Sequence, residues 1–214
     1  MRTKFGLDVP TTLAELCRPD RMALVVYDMQ VGIVRQLSDG AAVTERVARA
    51  LAAARSNGVR VIFTRHMSLP PKLMGSFQLR QAMVWQQLAD PDQVQPWFLR
   101  DTPGFEIVPE LAPQDDEVII DKIAFSAFGG TPLATILRDC GLKAFAIVGI
   151  AIEIGIDPTV RHGADLGLVP IVVRDACGAG DKEAARRALA NMESMGDAIL
   201  TDAAAFSSAL CASD

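Results

Sequence analysis

Six short runs of the chain are apolar at nearly every position: 22–27 (MALVVY), 59–64 (VRVIFT), 118–121 (VIID), 144–148 (AFAIV), 169–173 (VPIVV) and 198–201 (AILT). Between them, residues 41–57, 131–140, 156–166 and 181–195 repeat Ala, Leu and Val every three or four positions and turn their charges to the opposite side. The first pattern predicts strands buried on both faces, the second predicts amphipathic helices. Their alternation predicts an α/β fold, a parallel sheet covered by helices on both sides. Gly58, Gly141, Gly167 and Gly196 fall where those helices should stop.

The stretch 65–117 breaks the rhythm. It holds both tryptophans, scattered prolines and one helical pattern at 77–88. A connection this long in a compact domain is expected to fold over a functional site or to form a partner interface. No internal repeat, low-complexity tract or linker divides the chain, so residues 1–214 read as a single domain.

Composition narrows the function. The 214 residues are 50% apolar with a formal net charge of −5, enough for a sizeable core. Mild acidity, with no Lys/Arg cluster interleaved with aromatics, argues against nucleic acid as a partner. No run approaches the ~20 apolar residues of a membrane span, so no membrane partner is expected. Cys17, Cys140, Cys177 and Cys211 lie far apart, and the chain has only two histidines. A disulfide framework, a zinc ribbon and a multi-histidine site are therefore not expected, and the prediction is a cytoplasmic chain with reduced thiols, no metal and no cofactor.

Ligands of open parallel sheets bind beyond the carboxyl ends of the strands. Three features fall there: Asp28 after the first run, Lys122 after the third, and the segment 149–155 (GIAIEIG) between the fourth run and a helix. An acid and a base partly desolvated at one rim can hold each other charged and pass a proton to or from a substrate. A glycine-bounded strand-to-helix turn presents backbone N–H groups at a positive helix end, suited to an oxyanion or a carboxylate. The plain alternatives are a turn residue at Asp28, a lysine leaving for solvent at 122, and glycines that let a helix pack closely on the sheet.

Together these residues resemble the isochorismatase-like hydrolase superfamily, which includes isochorismatases, nicotinamidases and N-carbamoyl amidohydrolases. The resemblance covers most of the chain and rests on VVYDMQ at 25–30, DKIAFSAFGGTPLATILRDCG at 121–141, VGIAIEIGIDPTVRHGADLG at 148–167 and VVRDACGAG at 172–180. It implies a Rossmann-like three-layer α/β/α fold with a six-stranded parallel sheet. It also implies Asp28 as the acid/base carboxylate, Lys122 as its charged partner, and a cis bond between Ile150 and Ala151. The backbone N–H groups of Ala151 and Gly155 would form the oxyanion hole. The family's motif, of the form GVATxxCVxxT, matches 149–159, and Gly155 stands at its cysteine position.

Amide hydrolysis in this family forms an acyl-thiol intermediate, a route closed without a nucleophile at 155. The isochorismatase branch also carries Gly there and hydrolyses a vinyl ether, chemistry that needs an acid/base and no protein nucleophile. The expectation is therefore a hydrolase of a small anionic molecule, an enol ether or a related compound. Asp28, Lys122 and Gly155 would form the catalytic centre. Gln30 and His66 would contact substrate, and Arg65 or Arg80 would pair with its carboxylate. The alternatives are an amidohydrolase using Cys177 or an activated water, and a catalytically silent ligand-binding homologue. Members of the family associate, which makes a homo-oligomer the expected assembly.

Overall fold

The structure, a computed structural model, describes residues 2–212. Its strands are β1 (Arg2–Lys4), β2 (Leu7–Val9), β3 (Met22–Tyr27), β4 (Arg60–His66), β5 (Val118–Lys122), β6 (Ala144–Ile150), β7 (Val169–Gly178) and β8 (Ile199–Thr201). Its α-helices are α1 (Leu13–Leu16), α2 (Val31–Val34), α3 (Gly40–Ser56), α4 (Ser76–Gln86), α5 (Leu133–Asp139), α6 (Asp157–Asp165), α7 (Lys182–Met195) and α8 (Ala203–Cys211). β1 and β2 form an antiparallel hairpin, and β3 to β8 form a six-stranded parallel sheet in the order β5-β4-β3-β6-β7-β8.

Period-two alternation along the strands builds the layers. Met22, Leu24 and Val26 of β3 join one core with Val43, Val47 and Leu51 of α3 and Phe206 of α8. Ala23, Val25 and Tyr27 face the other core, with Leu133 and Leu137 of α5, Val160 of α6 and Met192 of α7. The result is the three-layer α/β/α arrangement expected from the sequence. Gly58, Gly141, Gly167 and Gly196 all take positive φ just past α3, α5, α6 and α7, where a left-handed residue ends a helix.

Two differences matter for the site. The turn after β6 is a π-helical turn, Ile152–Ile156, that runs directly into α6. β7 continues five residues past the predicted end, to Gly178, with a register shift against β6 between Ile147 and Gly149. The hairpin, α1, α2 and α8 are too short or too uniformly apolar to show in the periodicity.

The chain runs outward from β3 through β4 to β5, then returns to β6 on the other side of β3. The point where strand order reverses lies between β3 and β6, the crevice where such sheets bind ligands. Asp28 follows β3 and Ala151 follows β6, so both reach that crevice.

Candidate active site

Asp28 leaves β3 with a positive φ of 49°, a conformation that a non-glycine residue adopts only when its surroundings hold it there. Its N–H donates to the carbonyl and to Oγ1 of Thr64, both at 3.2 Å. The Thr64 hydroxyl in turn donates to Asp28 Oδ1 at 2.6 Å. Lys122, at the end of β5, reaches across β4 so that Nζ donates to Asp28 Oδ2 at 2.7 Å and to the Ala124 carbonyl at 3.2 Å. The same ammonium lies 4.3 Å from the centre of the Tyr27 ring, a cation–π contact. Asp28 and Lys122 are only 4% and 3% exposed. Burial lowers the pKa of Lys122, and the Asp28 carboxylate opposes that shift.

A cavity of about 330 Å³ opens over this pair, with Tyr27, Asp28, Ile150 and Ala151 among its walls. A second cavity of about 380 Å³ adjoins it, and His66, Trp85, Trp97, Phe98 and Phe125 belong to both. The long excursion between β4 and β5 thus supplies much of the wall, as its length suggested. It is anchored where residues 104–108 run along 29–32: Val31 N–H donates to Glu106 O at 2.8 Å and Val108 N–H to Met29 O at 2.9 Å.

The sequence-predicted residues separate into three groups. Asp28, His66 and Ala151 line the cavity, Lys122 stands behind Asp28, and the Ile150–Ala151 bond is cis. Gln30 is fully buried and serves the wall instead of a ligand. Its Nε2 donates to the carbonyls of His66 at 3.1 Å and Phe105 at 3.0 Å, and its Oε1 accepts from His66 N–H at 2.6 Å. Arg65 and Arg80 stand away from both cavities. Arg65 is bound to Asp121 at 2.8 Å and Glu106 at 3.6 Å and lies over the Phe105 ring. Arg80 is exposed on α4. The expected carboxylate clamp is therefore not assembled.

The Gly155 N–H is not free for an oxyanion. It donates to Ala151 O at 3.0 Å within the π-helical turn, and Gly155 is not part of the cavity wall. Cys177 lines neither cavity. Its Sγ points to the Ile147 carbonyl at 3.6 Å, and burial pushes its thiol pKa up, the opposite of an activated nucleophile.

Sequence reasoning missed Tyr27. A Cβ built on Gly155 would stand 2.0 Å from the Tyr27 hydroxyl oxygen and 2.4 Å from Cζ. The ring therefore occupies the volume that a side chain at 155 would need. Its hydroxyl donates to the Phe125 carbonyl. Burial first, and then the charge of Asp28, raise the phenol pKa well above its ordinary value, so it stays protonated. The available signal was composition: this is the only tyrosine of the chain, in an otherwise aliphatic strand.

The model of the family described as Isochorismatase domain matches residues 22–205. Among curated relatives, the ureidoacrylate amidohydrolase RutB of Pantoea ananatis is 28% identical over 201 residues, covering 82% of this chain and 76% of the relative. That of Methylorubrum extorquens is 29% identical over 208 residues, covering 89% and 83%. Among solved structures, a cysteine hydrolase from Pseudomonas syringae pv. phaseolicola superposes with a TM-score of 0.77 at 25% identity, covering 92% of this chain and 95% of its own. N-carbamoylsarcosine amidase from Thermoplasma acidophilum has the same fold, with a TM-score of 0.70 at 20% identity and coverage of 86% and 96%.

Proposed function

We propose that this chain, which belongs to the isochorismatase family, hydrolyses its small-molecule substrate by acid–base chemistry at Asp28, paired with Lys122, and without a cysteine nucleophile. One observation carries the reading: the carboxylate–ammonium pair is intact under the cavity, while the place of a nucleophile at 155 is filled by Tyr27.

For an enol ether, Asp28 in its acid form gives its proton to the β-carbon of the double bond. Water adds to the oxocarbenium ion that results and returns a proton to Asp28. The hemiketal then collapses to a carbonyl compound and an alcohol. Lys122, hydrogen-bonded to Asp28 Oδ2, stabilises the carboxylate in the step where the proton has left it. Thr64, bound to both the N–H and the carboxylate of Asp28, fixes the direction of transfer.

The relatives' names favour a second reading, amide hydrolysis, in which Asp28 takes a proton from water, the resulting hydroxide attacks the carbonyl directly, and Asp28 returns the proton to the nitrogen as the C–N bond breaks. Self-association and a cytoplasmic address belong to the same proposal, and the elution volume of the purified chain on size exclusion checks the first.

A panel of vinyl ethers and N-carbamoyl amides separates the two readings by product. On whichever substrate turns over, Asp28→Asn is expected to lower kcat by at least about 100-fold with an unchanged circular dichroism spectrum. Activity that survives this change overturns the proposal. Alkylation of the thiols with iodoacetamide is expected to leave turnover intact. A chain that is stabilised by panel compounds yet releases no product is the silent binding homologue instead.

A further inference from the structure

We propose that this site takes an uncharged substrate bearing an aryl-sized apolar group seated across the two adjoining cavities, not an anionic one. The proposal rests on the hydrolase reading only for which bond breaks. The identity of the ligand comes from the walls.

Among the described residues, none that lines either cavity is a lysine or an arginine. The nearby cations are already committed, Lys122 to Asp28 and Arg65 to Asp121 and Glu106. Asp28, the acidic residue in the first cavity's wall, is neutralised by Lys122 and leaves no free cation there. His66, where the cavities meet, adds none at neutral pH: burial, and next the charge of Lys122, lower its pKa to about 4. An anionic substrate would give up its water here and meet mostly apolar and aromatic walls, with no uncommitted cation among them to replace it.

The walls suit a ring instead. Trp97 and Phe98 meet edge to face with centroids 6.2 Å apart, and Trp85 and Phe125 tilt together at 6.2 Å. All four belong to both cavities, so a planar group can lie between them in the edge and offset arrangements that aromatic rings prefer. Volumes of about 330 and 380 Å³ fall in the range of small-molecule sites, ~300–1,000 Å³. Gln78 lines the second cavity, and its Oε1 is buried with no hydrogen-bond partner. Its side chain is an uncharged amide, so the polar group it adds to this wall is neutral.

The chain carries its own reporter, because its two tryptophans, Trp85 and Trp97, both line both cavities. The experiment titrates the native chain with phenylacetamide and with phenylacetate, equal in ring and length and different in charge, and reads tryptophan emission. Phenylacetamide is expected to change the emission saturably, with a Kd at least about tenfold below that of phenylacetate. Equal or tighter binding of phenylacetate overturns the proposal, and so does the absence of any response to either compound. Ile154→Arg, which places a cation in the first cavity wall, is expected to shift the preference toward phenylacetate by about tenfold. A folded variant with no such shift also overturns it. Binding is read without turnover, so an inactive chain still decides this question. An active chain that prefers phenylacetate overturns the substrate class and leaves Asp28 chemistry standing.

Discussion

Adding a single carbon to Gly155 brings it within 2.0 Å of the Tyr27 hydroxyl, closer than any contact real atoms make, so these two positions cannot be varied independently. Gly155→Cys alone is expected to destabilise the chain by about 1–3 kcal/mol through overpacking and to confer no thiol-dependent activity. Gly155→Cys combined with Tyr27→Val frees the volume. That double variant is expected to regain stability in urea denaturation and to show a new iodoacetamide-reactive thiol at 155 by peptide mass mapping; equal stability of the two variants would refute the coupling. Lys122 illustrates the opposite case, a buried charge with a single acidic partner. Lys122→Met leaves Asp28 buried without its cation, for an expected loss of about 3–5 kcal/mol. Combining it with Asp28→Asn should restore most of that loss, read from the same urea midpoints.

Among the elements, β4 decides more of the site than its sequence advertises. Thr64 and His66 share one face of the strand and Arg65 takes the other, because successive side chains alternate. Thr64 therefore reaches Asp28 and His66 reaches the cavity, while Arg65 is turned toward Asp121. The Gln30 clamp holds the end of this strand against the returning excursion. Gln30→Leu is expected to lower stability by about 3 kcal/mol, since it strands buried backbone groups of His66 and Phe105, and to raise KM more than it lowers kcat. An unchanged urea midpoint would remove the clamp from the account. The strands and main helices were readable in the sequence because burial on a sheet and on a helix face imposes simple periods. Asp28 and Lys122 were readable because charges at strand ends are few. Tyr27, the Gln30 clamp and the commitment of the Gly155 N–H were not, since each depends on contacts between segments far apart in the chain. The aromatic walls could be assigned to the excursion by its length, but not to individual rings.

For the whole molecule, the burial of His66 sets part of the acid response. Its pKa falls from 6.5 to about 4 on folding, so between those values the unfolded chain binds more protons than the folded one. The contribution is complete above pH 6.5, declines as pH falls, and is gone below about pH 4, for a total on the order of 3 kcal/mol. His66→Gln is expected to flatten the stability profile across that window, as measured by urea denaturation at successive pH values; an unaltered slope would refute the assignment. The shared volume of Tyr27 and Gly155 has a consequence on a longer timescale. A lineage that moves between a thiol at 155 and this arrangement through the sequence holding both side chains bears an overpacking cost of about 1–3 kcal/mol on the way. The route that avoids this cost loses the thiol before the ring arrives, or the ring before a thiol is gained. The packing thus favours one order of events, and making room for a thiol at 155 begins at position 27.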